Sequence, residues 1–175
     1  MEQVKYLSYG QYCPLAMATE ILCKRWTILV LREFLFGSTT FNDISCGVPR
    51  MSRTLLSKRL KELVHIGVIE KKTNLKGSQI NYNLTEAGKA LEPVVIGMAS
   101  WGQEWLQTTP SLEDVDPRFL MWDIMRNINI LDVLPDPFIT HIHLTDVEPG
   151  LSDYWLVFEN NSVDLCNKDN DYDVD

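Results

Sequence analysis

Met51-Ser52-Arg53-Thr54-Leu55-Leu56-Ser57-Lys58-Arg59-Leu60-Lys61-Glu62-Leu63 is the stretch from which the fold is read. Ser52 suits a helix N-cap, because its hydroxyl can accept a bond from a backbone N–H that has no helical partner. Leu56, Leu60 and Leu63 recur on one face at helical spacing, and Gly67 ends the helix. The opposite face carries Arg53, Thr54, Ser57, Lys58 and Lys61, with Arg59 at its edge. A DNA major groove admits one such helix and presents hydrogen-bond acceptors and donors to it. A solvated amphipathic helix would have the same pattern, so the neighbouring segments decide.

Upstream, Leu15, Ala18, Ile21 and Leu22 predict a helix opened by Pro14, a residue tolerated in a first turn. A second helix is expected from about Trp26 to Phe36, with Trp26, Leu29, Val30 and Phe34 on its inner stripe and Gly37 at its end. Phe41 to Cys46 reads as a short helix stopped by Gly47. Downstream the period changes to two. Val68 to Lys72 and Ile80 to Leu84 predict a hairpin across a polar loop containing Gly77. A long helix follows from Thr85 to about Gln107, with Pro93 predicted to kink or restart it. Three helices, a hairpin and a further helix give a mainly α fold with a β-hairpin wing, a winged helix-turn-helix.

The whole-chain charge of −8 hides an asymmetry. Residues 1–109 hold 13 Lys and Arg against 9 Asp and Glu, whereas residues 110–175 hold 3 against 15. Between Arg50 and Gly77 there are eight basic residues and two acidic ones, which points to a polyanionic partner for the first half alone. Arg50, Ser52, Arg53, Thr54, Ser57, Lys58, Arg59 and Lys61 are the candidate DNA contacts of the helix; Lys72, Lys76, Ser78 and Gln79 are those of the wing. N-terminal residues of such a helix reach bases, while later cations and a basic loop lie nearer phosphates.

The ordered set Cys13-Pro14, Lys24-Arg25-Trp26-Thr27-Ile28-Leu29-Val30-Leu31-Arg32-Glu33, Phe41-Asn42-Asp43-Ile44, Met51 to Leu63, Gly67-Val68-Ile69, Tyr82-Asn83-Leu84-Thr85-Glu86-Ala87-Gly88 and Trp101-Gly102 resembles the HxlR-type, MarR-like regulators. It spans residues 13–107, the expected DNA-binding and dimerisation domain. The resemblance implies a bacterial transcription regulator that binds a pseudo-palindromic operator in double-stranded DNA as a homodimer. It also implies that Cys13 can sense oxidants or electrophiles, with Cys46 a candidate partner across the dimer. A thiol at a helix start is placed where the helix's partial positive charge favours a thiolate, although a free cysteine is more often a small buried hydrophobe. For the dimer interface, Leu91, Val94, Met98, Trp101 and Trp105 alternate by three and four along the last helix.

Past an acidic linker, residues 117–175 predict a small acidic α+β unit: a helix from Pro117 to Asn129, a strand from Ile139 to Thr145, and a hairpin turning at Asn160-Asn161. Asp116 to Asp123 and Tyr154 to Cys166 resemble the first part of a sterol carrier protein-like domain, which implies a small apolar ligand; only part of that domain is expected here. No metal or other cofactor is expected. His141 and His143 share one side of a strand without an evident third ligand, and Asp169, Asp171, Asp173 and Asp175 have Val174 where a calcium loop needs glycine. No catalytic constellation stands out, so an enzyme is not expected. No apolar run approaches the roughly 20 residues that cross a bilayer, and the four scattered cysteines fit a reduced, cytoplasmic protein. The competing readings are a winged helix that docks a protein and a carrier of apolar ligands that keeps an idle head.

Overall fold

A computed structural model describes residues 9–73, 80–106, 115–129 and 135–167. The chain divides into two units, Met1–Thr108 and Thr109–Asp175. The first contains helices α1 (Pro14–Leu22), α2 (Thr27–Leu35), α3 (Phe41–Gly47) and α4 (Arg53–His65), strands β1 (Ile69–Thr73) and β2 (Ile80–Leu84), then α5 (Glu86–Lys89) and α6 (Glu92–Trp105). The second contains α7 (Pro117–Asn127) and strands β3 (Phe138–His143), β4 (Asp153–Glu159) and β5 (Ser162–Asn167). Among the described residues, no helix is long and apolar enough to cross a membrane.

The buried core of the first unit is built from α2, α3, α4, β1 and α6. Val30, Leu31 and Phe34 of α2 meet Ile44 of α3, Leu56, Leu60 and Leu63 of α4, Ile69 of β1 and Val95 of α6. Burying a side chain of this size contributes roughly 1.5–3 kcal/mol, so the apolar period of α4 fixes which face turns outward. Glycine sets two of the helix ends. Gly37 (φ 93°) and Gly67 (φ 75°) take left-handed backbone after α2 and α4. The next residue then donates back into the helix, Ser38 N to Glu33 O and Val68 N to Leu63 O, both at 3.0 Å.

Several expectations are corrected. Trp26 packs part-buried on the core as expected, although it is the N-cap of α2 in a left-handed conformation (φ 77°), whereas Leu29 is exposed and Leu31 is buried. Val30 and Phe34 are buried as expected. Gly47 does not stop α3 from outside; it is the last residue of that helix, and a Cβ there would stand 1.9 Å from Glu33 Oε2. Its role is clearance for a buried carboxylate. No residue of α1 is buried, despite its apolar period. The expected long helix is two helices, with Leu91 as the N-cap of α6 and Pro93 in its first turn, which agrees with a restart at the proline.

The strands β1 and β2 pair antiparallel, with Lys71 opposite Tyr82 and Lys72 opposite Asn81. Tyr82 N donates to Thr39 O at 2.8 Å, which ties this wing to the chain entering α3. In the second unit the sheet order is β3-β4-β5, antiparallel throughout. Asn160 and Asn161 take φ of 52° and 58°, the left-handed pair that a two-residue hairpin turn requires. Among the described residues of this unit, Met121, Tyr154 and Leu156 are the buried hydrophobic ones.

Candidate nucleic-acid interface

The Ser52 hydroxyl accepts from Leu55 N at 3.3 Å and caps α4, an arrangement worth about 1 kcal/mol. The helix therefore begins where Arg53 leaves the head. Because Leu56, Leu60 and Leu63 are buried, Arg53, Thr54, Ser57, Lys58 and Lys61 fall on the other face. Together with Glu62 they line one broad, open concavity. Arg53, Thr54, Lys58 and Lys61 are exposed and Ser57 is half-buried.

Arg53 does not wave freely. Its Nη2 donates to Asn42 Oδ1 at 3.0 Å, and its guanidinium carbon lies 4.7 Å from the centre of the Phe41 ring. Both partners belong to the first turn of α3. That turn is itself fixed by Thr40, whose hydroxyl accepts from Asp43 N while the Asp43 carboxylate accepts from Thr40 N. Asn42 and Phe41 belong to a stretch that carries the family resemblance, but they were not among the expected DNA contacts. They lie eleven and twelve positions before Arg53, so only the packing of α3 on α4 brings them together.

Arg59 is placed differently from the other cations. Its Nη1 donates to Glu62 Oε2 at 2.7 Å and its Nε to Arg25 O at 3.3 Å. Lys24 Nζ lies 3.4 Å from the same Glu62 oxygen. Burial pushes the Glu62 carboxyl up, but the hydrogen bonds and charges of Arg59 and Lys24 outweigh it and hold the group below its usual value. Arg59 thus faces the seam between α4 and the turn before α2, rather than the outer face. Arg50 is exposed just ahead of α4. Lys71 and Lys72 are exposed on β1, and Lys72 pairs with Glu70. Lys76, Ser78 and Gln79 lie outside the described residues, as do the aspartates at 169, 171, 173 and 175.

On α6, Val94, Met98, Trp101 and Trp105 are 44%, 53%, 58% and 65% exposed, so a row of large apolar side chains faces away from the head. Val95 and Leu91 turn the other way and pack on the head's own core. Cys13 is the N-cap of α1 and half-buried. Cys46 reaches the surface, yet desolvation around its thiol, followed by the nearby Asp43 carboxylate, raises its pKa above the ordinary value; Arg53 opposes this more weakly than either.

In the second unit, His141 Nε2 and His143 Nδ1 lie 2.8 and 3.0 Å from the same oxygen, Asp153 Oδ1. The Ser152 hydroxyl donates to Asp153 Oδ2 at 2.6 Å. Each imidazole directs a nitrogen at that carboxylate, and among the described residues no three such side chains are arranged to hold a metal ion. Asp153 was invisible from sequence, because its pairing with His143 depends on the register between β3 and β4.

Comparison with known proteins gives the same outline for the first unit. A family profile described as HxlR-like helix-turn-helix matches residues 21–110. YvaP of Bacillus subtilis, an uncharacterized HTH-type transcriptional regulator, is 35% identical over 116 residues, covering 65% of this chain and 99% of that protein. Among solved structures, PA1607 superposes with a TM-score of 0.54 at 26% identity, over 58% of this chain and 71% of that one. The reduced form of the redox regulator HypR shares the fold, with a TM-score of 0.52 at 24% identity, over 54% of this chain and 95% of that one.

Proposed function

The chain belongs to the HxlR-like helix-turn-helix family of transcription regulators, and on that premise we propose that it binds a pseudo-palindromic operator as a homodimer, with α4 in the major groove of each half-site. The observation that carries this reading is the outer face of α4. Arg53, Thr54 and Ser57 stand at its N-terminal end, where base edges are reached, and Lys58 and Lys61 follow where phosphates run. Lys72, with Lys76, Ser78 and Gln79 of the wing loop, extends the contact along the backbone. Arg59 serves the reading helix by anchoring it, not by touching DNA.

Dimerisation is supported by the exposed stripe Val94, Met98, Trp101 and Trp105 on α6. Apolar surface of this kind is what self-association buries, and two heads match a two-fold operator. For Cys13, its place at the start of α1 supports the reactive role, while the raised Cys46 thiol suits a resolving partner better than an attacking one. Diamide then weakens operator binding by the intact protein and leaves Cys13→Ser unaffected; equal loss in both removes the redox role.

Selection of bound fragments from random duplex DNA tests the main reading. It is expected to enrich one inverted repeat with half-site centres one helical turn, or a multiple of it, apart. Recovery of unenriched sequence, or of single half-sites only, contradicts it.

A further inference from the structure

Trp26, just ahead of α2, holds a left-handed backbone (φ 77°) that a bulky side chain rarely adopts. Such a conformation persists only where its surroundings impose it, and it gathers at functional sites. Here the surroundings belong to α4. Arg59 Nε donates to the carbonyl of Arg25 at 3.3 Å and its Nη1 to Glu62 Oε2, while Lys24 Nζ lies 3.4 Å from that same Glu62 oxygen. Thr27 N closes the turn on Lys24 O at 3.0 Å. The turn Lys24-Arg25-Trp26 is therefore fastened to the C-terminal half of α4 through a side chain and a backbone carbonyl. What it presents outward is Arg25. Its side chain is exposed, its guanidinium carbon lies 5.5 Å from the centre of the Trp26 ring, and among the described residues no carboxylate pairs with it. An aromatic ring steadies a guanidinium without using its N–H donors.

We propose that Arg25 is a further DNA contact, gripping a backbone phosphate at the edge of the groove that α4 enters; this rests on the DNA-binding reading above. Lys61 and Glu62 line both the outer concavity of α4 and a recess bounded by Lys24 and Arg59, so the basic outer face adjoins the turn. Arg59, which holds the turn, stands about 9 Å further along the helix axis than Arg53 at 1.5 Å per residue. A major groove is about 12 Å wide. With Arg53 at the base edges, the far half of α4 and the turn fastened to it come level with the phosphates that bound the groove. Arginine suits that place, because its planar fork can bond two oxygens of one phosphate. The Glu62 carboxylate would repel the phosphate, but Lys24 and Arg59 share its charge. A phosphate contact carries no sequence information, so Arg25 adds affinity for every duplex alike.

The test uses the full chain with its selected operator and with a random duplex, each titrated across a salt series. Arg25→Gln removes the guanidinium but leaves the backbone carbonyl that Arg59 uses, so the melting temperature is expected to hold. The variant is expected to lower the salt slope by about 0.9, the share of one phosphate, and to bind both duplexes about eightfold more weakly at 0.1 M salt, a deficit that closes toward 1 M. Arg25→Lys keeps the charge and is expected to keep the slope while losing part of the affinity. Ethylation of single operator phosphates locates the contact: one flanking phosphate whose ethylation weakens the wild type is expected to stop mattering to Arg25→Gln. Lys58→Gln, run alongside, separates two failures. If Lys58→Gln lowers the slope and Arg25→Gln does not, the Arg25 contact is overturned and the DNA-binding reading stands. A loss confined to the operator, or an ethylation pattern identical to that of the wild type, also overturns the phosphate contact. If neither variant lowers the slope, the DNA-binding reading fails and takes this contact with it.

Discussion

Arg53 and Asn42, eleven residues apart on successive helices, are joined by a 3.0 Å hydrogen bond from the guanidinium to the amide oxygen, while Phe41 lies under the same guanidinium. An arginine held in this way loses less side-chain freedom when it meets a base edge, which is how preorganisation adds affinity. Arg53→Ala is expected to weaken the selected operator by roughly 1–3 kcal/mol. Asn42→Ala is expected to cost a smaller share of the same energy. In a double-mutant cycle measured by fluorescence anisotropy, the two losses fall short of adding, because both remove one arrangement. Full additivity would separate Asn42 from the reading of DNA.

Gly47 and Glu33 make a second linked pair. Glu33 is fully buried, its carboxylate accepts from Arg32 Nε at 2.9 Å, and Arg32 Nη2 reaches Gly47 O at 2.8 Å. Gly47→Ala drives a methyl group into that carboxylate. Its expected effect is a loss of stability of about 1–3 kcal/mol or more, the range for an overpacked core, read as a fall in the urea midpoint. An unchanged midpoint would mean that the carboxylate moves aside freely.

The exposed row on α6 leads to a different outcome. Met98→Asp and Trp101→Asp are expected to shift the protein from dimer to monomer in sedimentation while leaving the head folded, since neither side chain packs inside it. Leu91, which packs on the head's core, is the contrast: Leu91→Asp lowers the melting temperature. Dimers that survive both α6 substitutions would place the interface elsewhere.

The Asp153 carboxyl is held well below the usual carboxylate range by the Ser152 hydroxyl first, then by His143 and His141. A folded-state pKa that is depressed favours the charged form in the fold. Its stabilising contribution is therefore present above the unfolded value, about 3.9, and is lost as pH falls through the lower folded value. Carbon-detected NMR is expected to find Asp153 still ionised at pH values where exposed aspartates have titrated. Asp153→Asn removes that difference, and an ordinary titration would contradict the geometry.

What could be read in the sequence was local and periodic. The leucine spacing of α4, the glycines after α2 and α4, and the alternation of the wing each follow from a few consecutive residues. Reading them together gave the winged helix and its outer face. What escaped depends on the approach of distant segments. Arg59 reads as one more cation on α4 until Glu62 and the carbonyl of Arg25 engage it. The left-handed backbone that makes Trp26 the cap of α2 has no local signal, and Gly47 reads as a stop signal until Glu33 is packed behind it. The apolar stripe of α6 was visible, but its division into inward Leu91 and Val95 and outward Val94, Met98, Trp101 and Trp105 needed the head in place.

Salt dependence of duplex binding by the full chain tests the basic outer face of α4 most directly. The logarithm of the affinity is expected to fall linearly with the logarithm of salt, by about 0.9 for each phosphate neutralised, and Lys58→Gln, which removes one such cation, is expected to lower the slope by about that amount. A flat response, or a slope that Lys58→Gln leaves untouched, would contradict the placement of that face against DNA.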